Sequence, residues 1–260
     1  MIEEIKKTKR NHQAAIHTQL NGNVHYQKES PTFDFPLCLL AFTNRSGSNL
    51  LAEYLAATKL FCGFQESLNY ETVKHVCERN DIQTFPEYFE HITRTHKEEG
   101  RYFFIKSSWD QFLMLREWNV LGMFSGLKIV YIERLNYINQ AISYVIANQT
   151  KQWTIFQRRE KEQVHYDYCT IESVISANAK SNRIFRYLFE VLDVGYSYVV
   201  YEELVKDPQG SMRKIHDYFG HPQSPALPSG FEPRLKVQSG DLNREFKSRY
   251  LQQSLARLEA

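Results

Sequence analysis

The 260-residue chain lacks any run approaching the roughly 18 apolar residues that a membrane-spanning helix needs. It also lacks a cysteine framework. Cys38, Cys62, Cys77 and Cys169 stand far apart, with no C-x-x-C pair and no zinc spacing, a pattern that suits reduced thiols better than disulfides. Charge of one sign is missing as well: 32 basic against 30 acidic residues give a formal +2, so no overall field directs the chain to nucleic acid or an anionic membrane. The opening stretch MIEEIKKTKRNHQAAIHTQL carries charge where a secretory leader needs an apolar core. Together these absences predict a soluble, cytoplasmic protein that binds no nucleic acid.

What is present is enough apolar sequence, 42%, for a sizeable core. FPLCLLAF (35–42), RYFFIK (101–106), LKIVYIE (127–133) and YSYVVY (196–201) read as short buried strands, each followed by a helical pattern. Long helices are predicted at about 136–150 and 170–193, and another after Pro208. Strands alternating with helices predict an α/β fold with a central parallel sheet flanked by helices. Residues 1–34 are polar and aperiodic and read as an N-terminal extension. The α/β domain covers 35–222, and PQSPALPSGFEP (222–233) leads into a C-terminal tail spanning 223–260.

The segment LCLLAFTNRSGSNLLAEYLAAT places Arg45, Ser46, Gly47, Ser48 and Asn49 between the first strand and its helix. A strand-to-helix turn lies at the carboxyl edge of the sheet, where the helix's first N–H groups have no internal partner. Gly47 permits close backbone approach to an anion, Ser46 and Ser48 add hydroxyl donors, and Arg45 adds a fixed charge. These residues suit a phosphate or sulfate. They equally suit an ordinary turn in which Ser48 caps the helix and Arg45 is solvated. The loop lacks the first Gly and the Lys of a Walker A motif. In IVYIERLNYINQAISYVIANQTKQW, Arg134 and Ser143 offer a second anion site at another strand end. Two such sites suggest a nucleotide with phosphates at two positions.

Together, TNRSGSNLLAEYLAAT, the later QE pair, R-x-N-x-x-x-QAIS-x-x-x-A-x-QT-x-x-W and VVYEELVKDPQGSMRKIHDYFG resemble the bacterial trehalose 2-sulfotransferase-like sulfotransferases over about 36–250. The resemblance implies a P-loop-like sulfotransferase fold and 3′-phosphoadenosine 5′-phosphosulfate (PAPS) as donor co-substrate, without a metal. It implies that Arg45, Ser46, Gly47, Ser48 and Asn49 hold the 5′-phosphosulfate, with Arg45 stabilising the transferring group. Arg134 and Ser143 would then hold the 3′-phosphate, with Lys236 and Gln238 approaching the nucleotide from the tail. It also implies a hydroxyl-bearing acceptor, such as a carbohydrate, glycolipid or other small metabolite, and a homodimer.

Glu66 is the candidate general base. The helix over 48–58 carries the chain about 16 Å from the sheet edge at ~1.5 Å per residue. An extended return through 59–65 at roughly 3.3 Å per residue brings Gln65 and Glu66 back beside the loop. Gln65 and Trp153 are the candidate acceptor contacts, although Trp153 also suits helix-end packing. His75, His91 and His96 are alternative bases on helical stretches. The match departs at Asn49 (usually Thr or Ser), Leu135 (basic), Phe246 (Trp) and Gly63 (acidic in the trehalose enzyme's sugar site), and the last argues against trehalose as acceptor. A nucleotide kinase would use the same sheet edge but needs a loop Lys and Mg²⁺ ligands. A non-catalytic nucleotide-binding protein would keep Arg45 and Arg134 without needing Glu66.

Overall fold

In the computed structural model, which describes residues 1–153, 157–158, 160, 163–223, 227–235 and 240–260, two short helices, α1 (Ile2–Lys7) and α2 (Asn11–Gln19), precede β1 (Leu37–Phe42). The chain continues through α3 (Ser48–Ala57), β2 (Phe61–Gln65), α4 (Tyr70–Asn80) and α5 (Phe85–His96) to β3 (Tyr102–Ser107). After α6 (Trp109–Glu117) come β4 (Leu127–Glu133), α7 (Tyr137–Thr150), α8 (Tyr168–Val191) and β5 (Tyr196–Val200). The helices α9 (Tyr201–Lys206), α10 (Pro208–Tyr218) and α11 (Asp241–Leu258) follow.

The strands pair in parallel in the order β2-β3-β1-β4-β5. Every residue of β1 is buried, because a parallel sheet covered by helices has no wet face. Leu37, Leu39 and Ala41 face a core with α2, α4, α5, α6 and α8; Cys38, Leu40 and Phe42 face another with α3 and α10. The chain leaving β1 returns at β2 on one side, whereas the chain leaving β4 returns at β5 on the other. The carboxyl ends of β1 and β4 therefore flank the topological switch point, the ligand crevice of open α/β sheets.

Both terminal segments pack against the α/β domain. Ile5, Ile16, Leu20, Val24, Tyr26 and Phe33 of the first 34 residues are buried in the larger core, and the Phe33 ring stacks on Phe124 at 4.9 Å. The sequence hid this because α2 buries only Ile16 and so has no apolar stripe to detect. The tail forms α11, which inserts Phe246 and Tyr250 against α7 and α8 in a third cluster.

A β-bulge interrupts the β2–β3 register between Gly63 and Gln65, with Gly63 at φ 91° and Phe64 at φ 69°. A Cβ on Gly63 would lie 2.3 Å from the Phe104 carbonyl oxygen. This backbone therefore excludes the acidic side chain that the trehalose enzyme carries there. The extra residue re-aims the strand end that leads to Glu66.

Candidate functional site

Between β1 and α3 the backbone turns through two left-handed residues, Arg45 at φ 62° and Gly47 at φ 95°. The first is costly for a side-chain-bearing residue, and such strain is held only where surrounding contacts impose it. Here they do. Gln140, wholly buried on α7, donates from Nε2 to Thr43 Oγ1 (3.0 Å) and to the Asn44 carbonyl (2.8 Å). The Tyr201 ring covers Gly47 so closely that a Cβ there would lie 2.2 Å from its Cδ2. Gly47 is the N-cap of α3 and no side chain caps the first turn, so Ser48 does not act as the cap. The helix's positive end opens into the crevice.

The Arg45 side chain crosses toward α7. Its Nε donates to Ser143 Oγ (2.9 Å) and its Nη1 to the Trp153 carbonyl (2.5 Å). Arg134 reaches back to the Arg45 carbonyl through Nη1 (3.4 Å) and lies over the Tyr201 ring, 4.7 Å from its centroid. Both guanidinium groups have pKa values lowered by burial, and Arg134 lowers that of Arg45 further by like-charge repulsion. Arg134 Nε and the Ser46 hydroxyl are buried with no partner among the described residues. Two neighbouring desolvated cations, with orphaned donors on Arg134 and Ser46, form a pole that an anion satisfies.

The second pole is the Glu66 carboxylate. Lys106, at the carboxyl end of β3 and 2% exposed, donates from Nζ to Glu66 Oε1 at 2.5 Å and to Asn49 Oδ1 at 2.6 Å. Burial lowers the Lys106 pKa, and the charge and hydrogen bond of Glu66 oppose that shift. On the other side, Asn69 Nδ2 donates to Glu66 Oε2 (3.3 Å), and Asn69 Oδ1 accepts from Gln111 Nε2 (3.0 Å). Glu66, 47% exposed, is thus fixed at both oxygens while still facing solvent. The amide at position 49, where a hydroxyl was expected, supplies the oxygen that holds Lys106.

Both poles line one cavity of about 1040 Å³, which also takes in Asn139, Ser143, Tyr144, Trp153 and Tyr201. Arg45, Gly47, Ser48, Asn49, Glu66, Arg134, Ser143 and Trp153 all line it, brought from the ends of β1, β2 and β4, from α3 and α7, and from the segment after α7. The Arg45 guanidinium lies against Ser143, the residue expected at the 3′-phosphate. The Ser46 side chain is buried beneath the loop, and Gln65 is exposed at the bulged end of β2, outside the cavity lining. Lys236 and Gln238 lie outside the described residues. From α11, Asn243, Arg244 and Lys247 reach the cavity.

Lys106, Gln140, Tyr201 and Asn69 were not singled out from the sequence. Lys106 had a signal, a lysine closing the apolar strand RYFFIK at the edge where α/β folds bind ligands. Gln140 stood inside the quoted QAIS run without a role. Tyr201 and Asn69 gave none, since a Tyr after a strand and an Asn before a helix are ordinary. His75 and His96 do not line the cavity, nor does His91; among the described histidines it takes in His12.

Residues 114–253, more than half of the chain, match the family model described as Stf0 sulphotransferase. The match starts after the 43–49 loop, Glu66 and Lys106, so those residues rest on geometry. No curated protein matches the chain. A sulfotransferase domain from the curacin biosynthetic pathway is 16% identical, covers 81% of this chain and 82% of its own, and superposes with a TM-score of 0.50, which shows the shared fold. The sulfotransferase domain of the Synechococcus PCC 7002 olefin synthase (16% identity, 87% and 98% covered) has a TM-score of 0.48. A sulfotransferase from Alicyclobacillus acidocaldarius (15% identity, 89% and 95% covered) has a TM-score of 0.46.

Proposed function

This chain belongs to the Stf0 sulphotransferase family, and we propose that it moves a sulfuryl group from PAPS to a hydroxyl of a carbohydrate, glycolipid or other small metabolite. The observation that carries the donor assignment is the convergence of Arg45, Arg134 and Ser143 at the switch point, beside the uncapped start of α3. Arg45, Arg134 and Ser143 take the 3′-phosphate. The backbone N–H groups of Gly47, Ser48 and Asn49 meet the 5′-phosphosulfate, with the orphaned Ser46 hydroxyl beneath them. The donor supplies an activated sulfuryl group. Glu66 takes the proton of the acceptor hydroxyl as that oxygen bonds to sulfur and the sulfur–oxygen bond to the 5′-phosphate breaks, leaving adenosine 3′,5′-bisphosphate.

In such a transfer, positioning and electrostatic stabilisation carry most of the rate. Glu66 suits the role of base because it is fixed at both oxygens, by Lys106 and Asn69, and open to the cavity. The cavity is lined by both poles, and its part beside Glu66 is assigned to the acceptor; Trp153, the candidate acceptor contact from the sequence, lines the same cavity at the Arg45 pole. A cytoplasmic setting, read from the scattered cysteines and the charged opening stretch, and a homodimer, as the family resemblance implies, complete the reading. No described helix is long and apolar enough to cross a membrane.

Calorimetric titration in EDTA with adenosine 3′,5′-bisphosphate and with 5′-AMP tests the donor assignment. Wild type is expected to prefer the bisphosphate at least tenfold, as charge-assisted hydrogen bonds of about 1.5–3 kcal/mol imply, and Arg134→Ala to abolish the preference. Equal binding of the two nucleotides by wild type would leave the family fold without this donor.

A further inference from the structure

We infer that Lys106 is a catalytic residue whose ammonium meets the oxygens of the transferring sulfuryl group, in the place that the sequence assigned to Arg45. The inference rests on the sulfotransferase reading and extends it to a residue that the Stf0 match, which begins at residue 114, does not reach. Three observations carry it.

The first is placement. Lys106 stands opposite Leu40 in the β1–β3 register, at the carboxyl end of β3, so its side chain leaves the sheet beside the 43–47 loop. The second is the cost of keeping it there. A lysine ammonium 2% exposed loses nearly all its hydration, and a purely structural pair in that position is no more stable than well-packed apolar side chains. The ammonium nevertheless lines the cavity, with Phe42 as an apolar wall 4.6 Å away. The third is valence. An ammonium has three protons, and two go to Glu66 Oε1 and Asn49 Oδ1. The third is available to an oxygen held between the first turn of α3, which carries Asn49, and the carboxylate of Glu66. A group attacked by a hydroxyl bound to Glu66 and anchored at α3 occupies that interval.

Arg45 is meanwhile engaged with Ser143 and the Trp153 carbonyl, which removes it from this position. One ammonium therefore fixes the base and neutralises charge on the group the base's partner attacks. Sulfur–oxygen bond making and breaking proceed as in the transfer above. Lys106 keeps its proton throughout and changes only hydrogen-bond partners.

The test compares PAPS with adenosine 3′,5′-bisphosphate, which lacks the sulfuryl group, on wild type, Lys106→Met and Lys106→Arg. Lys106→Met is expected to weaken PAPS about tenfold or more and bisphosphate by less than about threefold. Lys106→Arg, which keeps the charge, is expected to fall between. Release of ³⁵S-labelled sulfate from PAPS to water in a single turnover should slow about 100-fold in Lys106→Met, as for loss of one transition-state donor. Equal weakening of both ligands identifies a structural lysine and overturns the inference, as does no change in either. Should Lys106→Met fail to fold, Lys106→Arg carries the same comparison, and an unchanged PAPS-to-bisphosphate ratio overturns the inference. Failure of the donor reading looks different, because wild type itself would then not prefer the bisphosphate over 5′-AMP.

Discussion

Arg45 Nε lies 2.9 Å from Ser143 Oγ, across 98 residues of sequence, and this bond ties the turn after β1 to the helix after β4. It merges two anion sites, separate in the sequence, into one basic wall shared by Arg45 and Arg134. The guanidinium does so because its planar fork reaches a hydroxyl and a carbonyl at once. Lysine has no such fork. Arg45→Lys should therefore lower bisphosphate affinity about tenfold with little change in melting temperature. Calorimetry on the variant checks this, and unchanged affinity would count against the fork.

Gly47→Ala should disrupt the loop. The φ of 95° alone costs an L-residue about 1–3 kcal/mol, and the new methyl meets the Tyr201 ring 2.2 Å away. Urea unfolding should show a lower midpoint at an unchanged slope. Adding Tyr201→Ala should remove the steric part while leaving the backbone part, so the double variant should not lose the sum of the two single effects. Simple additivity would show that the ring and the glycine are independent.

The pH dependence of stability should carry the mark of Lys106. Burial lowers its pKa below the ordinary 10.5, so just below 10.5 the unfolded chain holds more protons on this group than the folded one. Its contribution to stability therefore rises as pH climbs through that window and is smallest at lower pH. The buried acids Cys38, Tyr88 and Tyr131 run the opposite way, because burial raises their pKa values. They are common to wild type and Lys106→Met, so the difference between the two isolates the lysine. Wild type should gain on the variant as pH rises toward the ordinary lysine value of 10.5. Parallel urea titrations that show a constant difference would contradict this.

Phe246 should be a stability hot spot in the C-terminal helix. It is 1% exposed, and its ring meets Tyr166 edge-on at 5.4 Å. Phe246→Ala should cost about 3–5 kcal/mol. Phe246→Trp, the residue the family resemblance expects, should cost about 1–3 kcal/mol by overpacking. Thermal melts of both variants separate the cavity from the strain.

The strands at 37–42, 102–107, 127–133 and 196–200 were legible because buried parallel strands leave continuous apolar runs. The Arg45–Asn49 turn and Arg134 were legible because a strand-to-helix turn has fixed chemistry. The direction of Arg45 was not, since nothing local distinguishes a guanidinium facing its own loop from one bonded to a helix 98 residues on. The packing of residues 1–34 and of α11 left little trace: α1 and α2 bury one residue each and α11 two, too few to set a period.

The sequence alone determined four of the five strands, helices that follow them, and the place where an anion would bind, because hydrophobic periodicity and unpaired helix N–H groups are local properties of the chain; β2 read only as an extended return. Only the tertiary structure decided which cation serves which pole. Strand order set β3 beside β1, putting Lys106 against Glu66, and β4 on the other side, putting Arg134 behind Arg45. The physical reason is that a buried charge takes its partner from whatever neighbour the strand order supplies, and strand order is not written in any one segment.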